Sequence, residues 1–439
     1  MSDQKVMNRW LVVVGGILIQ LCLGAIYAWS VFTPSLVDAG WTKAQTQFVF
    51  SAGLASFAVV MVAAGAYLMP KLGPRKLAWT GGLVLGLGYL LGGLVGKTSV
   101  AGLVLLIGIV GGGGIGLGYV VPIAVGMRWF PDKKGLITGL AVAGFGFGAM
   151  LWVKLAGDWG NLIANMGLGN TFALYGVLFF VLVAIGGIWM VFPPEGWKPA
   201  GWTPPPPKAG QVSAGVNFDA GTMLRKPQFY MIFLTFVFSA GAGLMTIGLM
   251  KLFPKEALQA TGMDEAAASA VAGTAMAVFF SLANGFGRIA WGTLSDKLGR
   301  KTSVIIMCAT QGIFVIAFTK MAGTPALLYL GAVLIGFNFG GNFALFPTIT
   351  ADTFGAKNIA QLYPLVFLAY GVGGIGGPIL GGRLGDMGNF PLAFTICGVL
   401  CLAAAGITAL VKPPTAVAEP KEPALAVEGE AEADGTDKK

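Results

Sequence analysis

The chain reads as an all-α membrane protein of twelve transmembrane helices in two six-helix halves. Three observations predict this. Of its 439 residues, 56% are hydrophobic and only 11% charged, where a soluble chain carries about a quarter charged residues. Apolar runs of about 20 residues, the length that spans a bilayer, recur from end to end. One polar, proline-rich stretch divides them six and six.

Span 1 (10–33) follows no signal-peptide cleavage pattern and is long enough to remain as a crossing. Spans 2 and 3 (47–69 and 77–96) flank the basic turn GAYLMPKLGPRK. Span 4 (100–125) contains GGGGIGLG, a run that weakens a soluble helix but in a bilayer permits close contact and bending. It follows no predicted strand, so it does not read as a nucleotide-binding loop. Spans 5 and 6 (135–155 and 171–193) complete the first half, 1–193, and the glycines of AVAGFGFGAM read as packing. PPEGWKPAGWTPPPPKAG opens a linker, 194–227. Spans 7 to 12 (229–252, 268–291, 302–320, 325–349, 360–382 and 391–411) form the second half, 228–412. The tail, 413–439, is polar, acidic in its middle and without aromatic residues, a composition expected to be disordered.

Charge sets the expected orientation. With both termini and the even-to-odd loops on one side, that side holds twenty of the 28 Lys and Arg residues. The other side holds seven, and Arg288 stands apart. The positive-inside rule then makes both termini and the linker cytoplasmic, with the chain multi-pass in the plasma (inner) membrane. Basic residues punctuate the spans rather than line a soluble face, so the net charge of +9 does not imply nucleic acid. The four cysteines lie inside apolar runs, without disulfide or zinc spacing, and no metal or cofactor is expected. An enzyme would need a nucleophile–base pair or metal ligands, but histidine is absent and the acids lie in loops. A sensor would need an output domain, and neither linker nor tail is long enough to fold into one.

The basic turn repeats. After span 2 comes GAYLMPKLGPRK (65–76), and after span 8 comes GTLSDKLGRK (292–301). The second copy resembles the cytoplasmic signature of the major facilitator superfamily, which implies a gating role for Asp296, Gly299, Arg300 and Lys301. The first copy departs from it, with Pro70 where an Asp is expected. AIYAWSVFTPSL, RWFPDKKGLITGL, PPEGWKPAGW and MLRKPQFY resemble the oxalate/formate antiporter branch, a relative of monocarboxylate transporters. In that branch an Arg of span 8 binds the substrate carboxylate, and the matching position is Arg288. The antiporter's second cation, a Lys of span 11, is replaced here by Tyr370, which shifts the expected substrate from a dicarboxylate to a monocarboxylate.

The residues point the same way. Arginine cannot shed its proton, and a charge at the centre of a span costs about 2.5–3.5 kcal/mol on insertion scales. Arg288 stands some eight residues before the surface turn expected at Asp296, about 12 Å along a helix. It either snorkels to the interface, bonds to backbone carbonyls, or waits for an anion. No Asp or Glu lies clearly inside a span to pair with it. Its planar fork suits a carboxylate. Asn284 is four residues away on the same face, where eukaryotic monocarboxylate transporters carry an acid. Tyr119, Tyr27, the Phe339 and Phe343 pair, the Asn338 and Asn342 pair, and Phe367 with Tyr370 are the further candidates. Each reads equally as helix packing.

The expected activity is secondary transport of a small monocarboxylate such as lactate, pyruvate or formate by a monomer with alternating access. Proton symport is favoured and carboxylate exchange is the alternative. A proton would travel on the substrate carboxylate or through tyrosines, since the usual carriers are missing.

Overall fold

A computed structural model describes residues 7–130, 134–194, 197–199, 201, 218–355 and 359–412. Most of the linker and the whole tail lie outside the described residues. The six spans of the first half are Trp10–Val31, Lys43–Leu72, Pro74–Val95, Val100–Gly126, Lys134–Ala156 and Leu162–Gly187. Those of the second are Pro227–Leu249, Glu265–Ser295, Arg300–Met321, Pro325–Phe354, Gln361–Asp386 and Phe390–Leu410. Eleven are long and apolar enough to cross a bilayer, and Lys134–Ala156 is apolar over Val142–Ala156. Twelve crossings put both ends on one side, the termini side; the opposite side is the far side.

Some boundaries differ from expectation for visible reasons. Span 6 begins at Leu162, because Gly167, at φ 80°, joins a short far-side helix to the main one. A short amphipathic helix, Leu252–Ala260, follows span 7 on the far side. The span 8 helix runs through Asp296 to Leu298, and Gly299 at φ 85°, ψ 150° ends it. Arg288 therefore lies about 16 Å of helix before the turn, deeper than the polar residues alone imply. Gly73, at φ 74°, ψ 162°, ends the span 2 helix in nearly the same conformation. The two copies of the basic turn are thus alike in backbone as well as sequence, each built on a glycine in a region that other residues avoid.

Missing side chains set the packing within the halves. A Cβ on Gly112 would lie 2.3 Å from the Gly53 carbonyl oxygen, and one on Gly114 would lie 2.3 Å from the Leu85 nitrogen. The four-glycine run thus seats span 4 against the backbones of spans 2 and 3. Between halves, span 2 packs along span 11. Gly371 meets Ala58, Gly374 meets Leu54 and Gly382 meets Ala44. On the far side this seam ends in polar contacts. Lys43 N donates to Asp386 Oδ1 at 2.6 Å and Ala44 N to Oδ2 at 3.0 Å. Lys43 Nζ pairs with Glu256 at 2.7 Å.

At the basic turn of the second half, the Arg300 guanidinium donates to Ser295 Oγ and lies 3.6 Å from Asp352 of span 10. Lys301 Nζ donates to the Val411 carbonyl at 2.8 Å. The side chain of Asp296 lies outside the described residues.

Gly112→Ala is expected to destabilise the protein by about 1–3 kcal/mol, since neither backbone can yield without parting spans 2 and 4. Gly65→Ala, whose nearest neighbour is Val120 Cγ2 at 3.9 Å, should be neutral or stabilising. Thermal unfolding in detergent compares the two; equal melting temperatures would contradict the backbone contact.

Candidate functional site

Span 8 carries the site. A π-helical segment, Ala275–Phe280, precedes its α-helical part, a distortion frequent near functional positions. Beyond it, Asn284 and Arg288 fall one turn apart on one face. Arg288 Nε donates to Asn284 Oδ1 at 3.1 Å. The guanidinium is 2% exposed and Asn284 is fully buried, so Arg288 does not snorkel. Arg288 Nη1, Arg288 Nη2 and Asn284 Nδ2 are buried and have no hydrogen-bond partner, so no backbone carbonyl takes up the fork either.

Glycine brings the neighbours close. A Cβ on Gly340 would lie 2.2 Å from the Asn284 carbonyl oxygen, and one on Gly287 would lie 2.1 Å from that of Phe337. Spans 8 and 10 therefore touch backbone to backbone. That contact sets the Phe343 ring 4.0 Å from the guanidinium carbon, a cation–π distance. On the other side, a Cβ on Gly24 would lie 2.1 Å from the Phe145 carbonyl oxygen. Spans 1 and 5 close up, and the Tyr27 and Phe145 rings meet edge to face at 5.1 Å.

The aromatic candidates form one connected set around the cation. Tyr119 meets Phe145 at 5.4 Å, Phe339 meets Phe343 at 5.4 Å, and Phe367 stacks on Tyr370 at 4.9 Å. Tyr370 also reaches Phe343 at 5.7 Å. The Tyr27 and Tyr370 hydroxyls share a hydrogen bond of 3.0 Å, which joins the halves across the site. The Tyr27 and Tyr119 hydroxyls lie near the guanidinium, but neither meets its outer nitrogens in hydrogen-bond geometry.

Two candidates fall elsewhere. Asn338 donates to Thr310 Oγ1 at 2.8 Å and accepts from Trp291 Nε1 at 3.2 Å. Asn342 accepts from Ser239 Oγ at 2.7 Å and donates to the Phe339 carbonyl at 3.0 Å. The Asn338 amide ties span 10 to spans 8 and 9, and the Asn342 amide is taken up by span 7 and by its own helix, so neither stands open toward Arg288. Two residues were missed. Phe57 of span 2 packs on Tyr119 at 5.0 Å and on Phe367 at 5.5 Å. Phe145 of span 5 belongs to the same set. An aromatic in an apolar run looks alike whether it lines a site or a core. The four cysteines are buried and free.

Chemically, this is a buried aromatic enclosure with one permanent positive charge and three donors that have no partner among the described residues. The donors match the geometry of an anion with two coplanar oxygens. Twelve crossings in two halves that meet over such a group are the architecture of a membrane solute carrier. The chain belongs to the Major Facilitator Superfamily, whose family model matches residues 14–280 and 258–432. It is therefore a transporter and not an enzyme. It is 28% identical to the uncharacterized MFS-type transporter YhjX of Escherichia coli K12, over 84% of this chain and 86% of that protein. It is 27% identical to the oxalate:formate antiporter of Oxalobacter formigenes, over 92% of each chain. Apicoplast pyruvate carrier 1 of Toxoplasma gondii is 25% identical, over 82% of this chain and 81% of that one.

A buried, partly unsatisfied charge lowers stability. Arg288→Met is therefore expected to raise the stability of the ligand-free protein by about 1–4 kcal/mol. Thermal unfolding in detergent without added carboxylate measures this. A clear fall would mean that the guanidinium is satisfied in the folded protein.

Proposed function

We propose that the protein is a secondary transporter of a small monocarboxylate, working by proton symport and alternating access of its two halves. The observation that carries this reading is the trio of buried donors without partners: Arg288 Nη1, Arg288 Nη2 and Asn284 Nδ2. A carboxylate accepts from all three. Phe343, Phe339, Phe367 and Tyr119 would enclose its apolar end. Tyr370 stands where a second cation would serve a dicarboxylate, and its hydroxyl is already bonded to Tyr27. The substrates in the relatives' names, oxalate, formate and pyruvate, are all small carboxylates.

We further propose that both termini are cytoplasmic in a plasma (inner) membrane, that the protein acts as a monomer, and that Gly299, Arg300, Lys301 and Asp296 serve the cytoplasmic gate. The chain has no histidine, so the proton travels on the carboxylate itself or through the Tyr27–Tyr370 pair. Exchange of carboxylates is the second reading, favoured by the antiporter relative.

Arg288→Lys keeps the charge and loses the planar fork. Calorimetry with a panel of monocarboxylates should show affinity falling roughly ten- to hundred-fold, the loss of one charge-assisted bond. Unchanged affinity would remove Arg288 from the substrate site.

Coupling is tested in proteoliposomes loaded with buffer alone. Symport of a monoanion with one proton moves no net charge, so an inside-alkaline step should concentrate external lactate whatever the membrane potential. Each pH unit is worth about 1.4 kcal/mol, or tenfold accumulation. Uptake that appears only after internal carboxylate is supplied would overturn symport in favour of exchange.

A further inference from the structure

The seam between spans 5 and 8 runs from the site to the far side. Near Arg288 it is tight: a Cβ on Gly146 would lie 3.3 Å from the Gly285 nitrogen. At its far end stands a second group of charges that the carboxylate reading does not use. Lys154 of span 5 is 7% exposed. Its ammonium pairs with Asp158 at 2.5 Å and crosses to the other half to donate to Thr274 Oγ1 of span 8 at 3.1 Å. Lys251, just past the end of span 7, reaches the same place. Its Nζ lies 3.5 Å from where a Cβ on Gly273 would stand.

Two ammonium groups thus lie near one carboxylate. Asp158 is bound to Lys154, and Lys251 donates to no group among the described residues. The neighbouring far-side lysines are paired, Lys43 with Glu256 and Lys255 with Glu265. Burial pushes the Lys251 ammonium below its ordinary value, Asp158 opposes this, and Lys255 and Lys154 add to it. A partly buried cation with no acceptor, beside a second cation and a hydroxyl, is an incomplete anion site. From Thr274 to Arg288 is about 21 Å along span 8, so it is separate from the central site.

We propose that Lys251, with Lys154 and Thr274, forms an outer station for a small anion at the far-side mouth, where a carboxylate halts on its way to or from Arg288. This rests on the carboxylate reading of Arg288. A carboxylate and a lipid phosphate share the chemistry that the lysines recognise. Position on the seam between the halves favours the carboxylate.

The test uses the full chain in zwitterionic vesicles, with initial rates of radiolabelled lactate entry measured separately from each face. Lys251→Gln should raise the half-saturating lactate concentration from the far side about three- to tenfold at low salt. High salt should shrink that difference, and half-saturation from the termini side should stay as in wild type. Lys251→Arg should behave like wild type, because the station needs charge at this point rather than a lysine. No change from the far side would overturn the proposal. So would an equal change from both faces, which marks a role in folding or gating. A Lys251→Gln defect that appears only with anionic lipid in the vesicles would assign the lysine to a headgroup and overturn it as well. Arg288→Lys in the same assay keeps the two ideas apart. If it transports lactate like wild type, the central reading has failed. If it fails while Lys251→Gln is silent, only the outer station is lost.

Discussion

One buried charge organises this protein. A guanidinium cannot neutralise itself by losing a proton, so its position in the bundle has to be made tolerable by what surrounds it. Three features do this in part. Asn284 accepts one hydrogen bond from the same helix, Phe343 offers its ring face, and the Tyr27 and Tyr119 hydroxyls lie close by. None supplies a countercharge. These contacts leave Arg288 Nη1 and Nη2 without a hydrogen-bond partner among the described residues. Filling the remainder is the work of an anion in the proposed carrier.

Glycine makes that arrangement possible at a distance from the charge. Aromatic rings can surround a guanidinium only if the helices that bear them approach closely. Here they do so where a Cβ is absent: Gly340 and Gly287 between spans 8 and 10, and Gly24 between spans 1 and 5. In lipid no hydrophobic force pulls helices together, so close backbone contact has to supply the attraction through packing. The 69 glycines are therefore part of the site's geometry. Position matters more than number, as the glycines of span 4 show by meeting two different neighbours.

Much of this was legible in the sequence, for reasons of unequal strength. The spans were plain because lipid demands long apolar runs, and Arg288 stood out because no acid accompanied it. The turn after span 8 was misplaced to Asp296. Polar residues can continue a helix out of the membrane, whereas Gly299 ends it by conformation. Asn338 and Asn342 were grouped with the site because counting along a helix gives faces but not what each face meets. Here they meet Thr310, Trp291 and Ser239. Phe57 and Phe145 escaped for the converse reason, as nothing in an apolar run marks the ring that will touch a tyrosine of another span. The far-side cluster was hidden because Lys154, Asp158, Thr274 and Lys251 come from three spans.

The contacts between the halves differ in what their release would require. Asp386 accepts from the main-chain amides of Lys43 and Ala44, donors that a helix N-terminus leaves open. Thr42 of the same chain segment caps Gln45, so the first turn of span 2 divides its donors between its own half and the other. When the halves part there, those amides and Asp386 pass to water and lose little, because exposed charged contacts contribute about 0–1 kcal/mol each. The Tyr27–Tyr370 bond lies in the buried centre, where an unmet hydroxyl costs about 1–3 kcal/mol. In the proposed carrier, opening at the far side therefore works against packing along spans 2 and 11 and against the Lys154–Thr274 bond between spans 5 and 8, while the centre resists until something replaces the lost hydrogen bond. A carboxylate held by Arg288, as proposed, would bring oxygens to that point. In the proposed carrier, this makes bound substrate the partner that lets the two tyrosines separate, and an empty site the state in which they hold together.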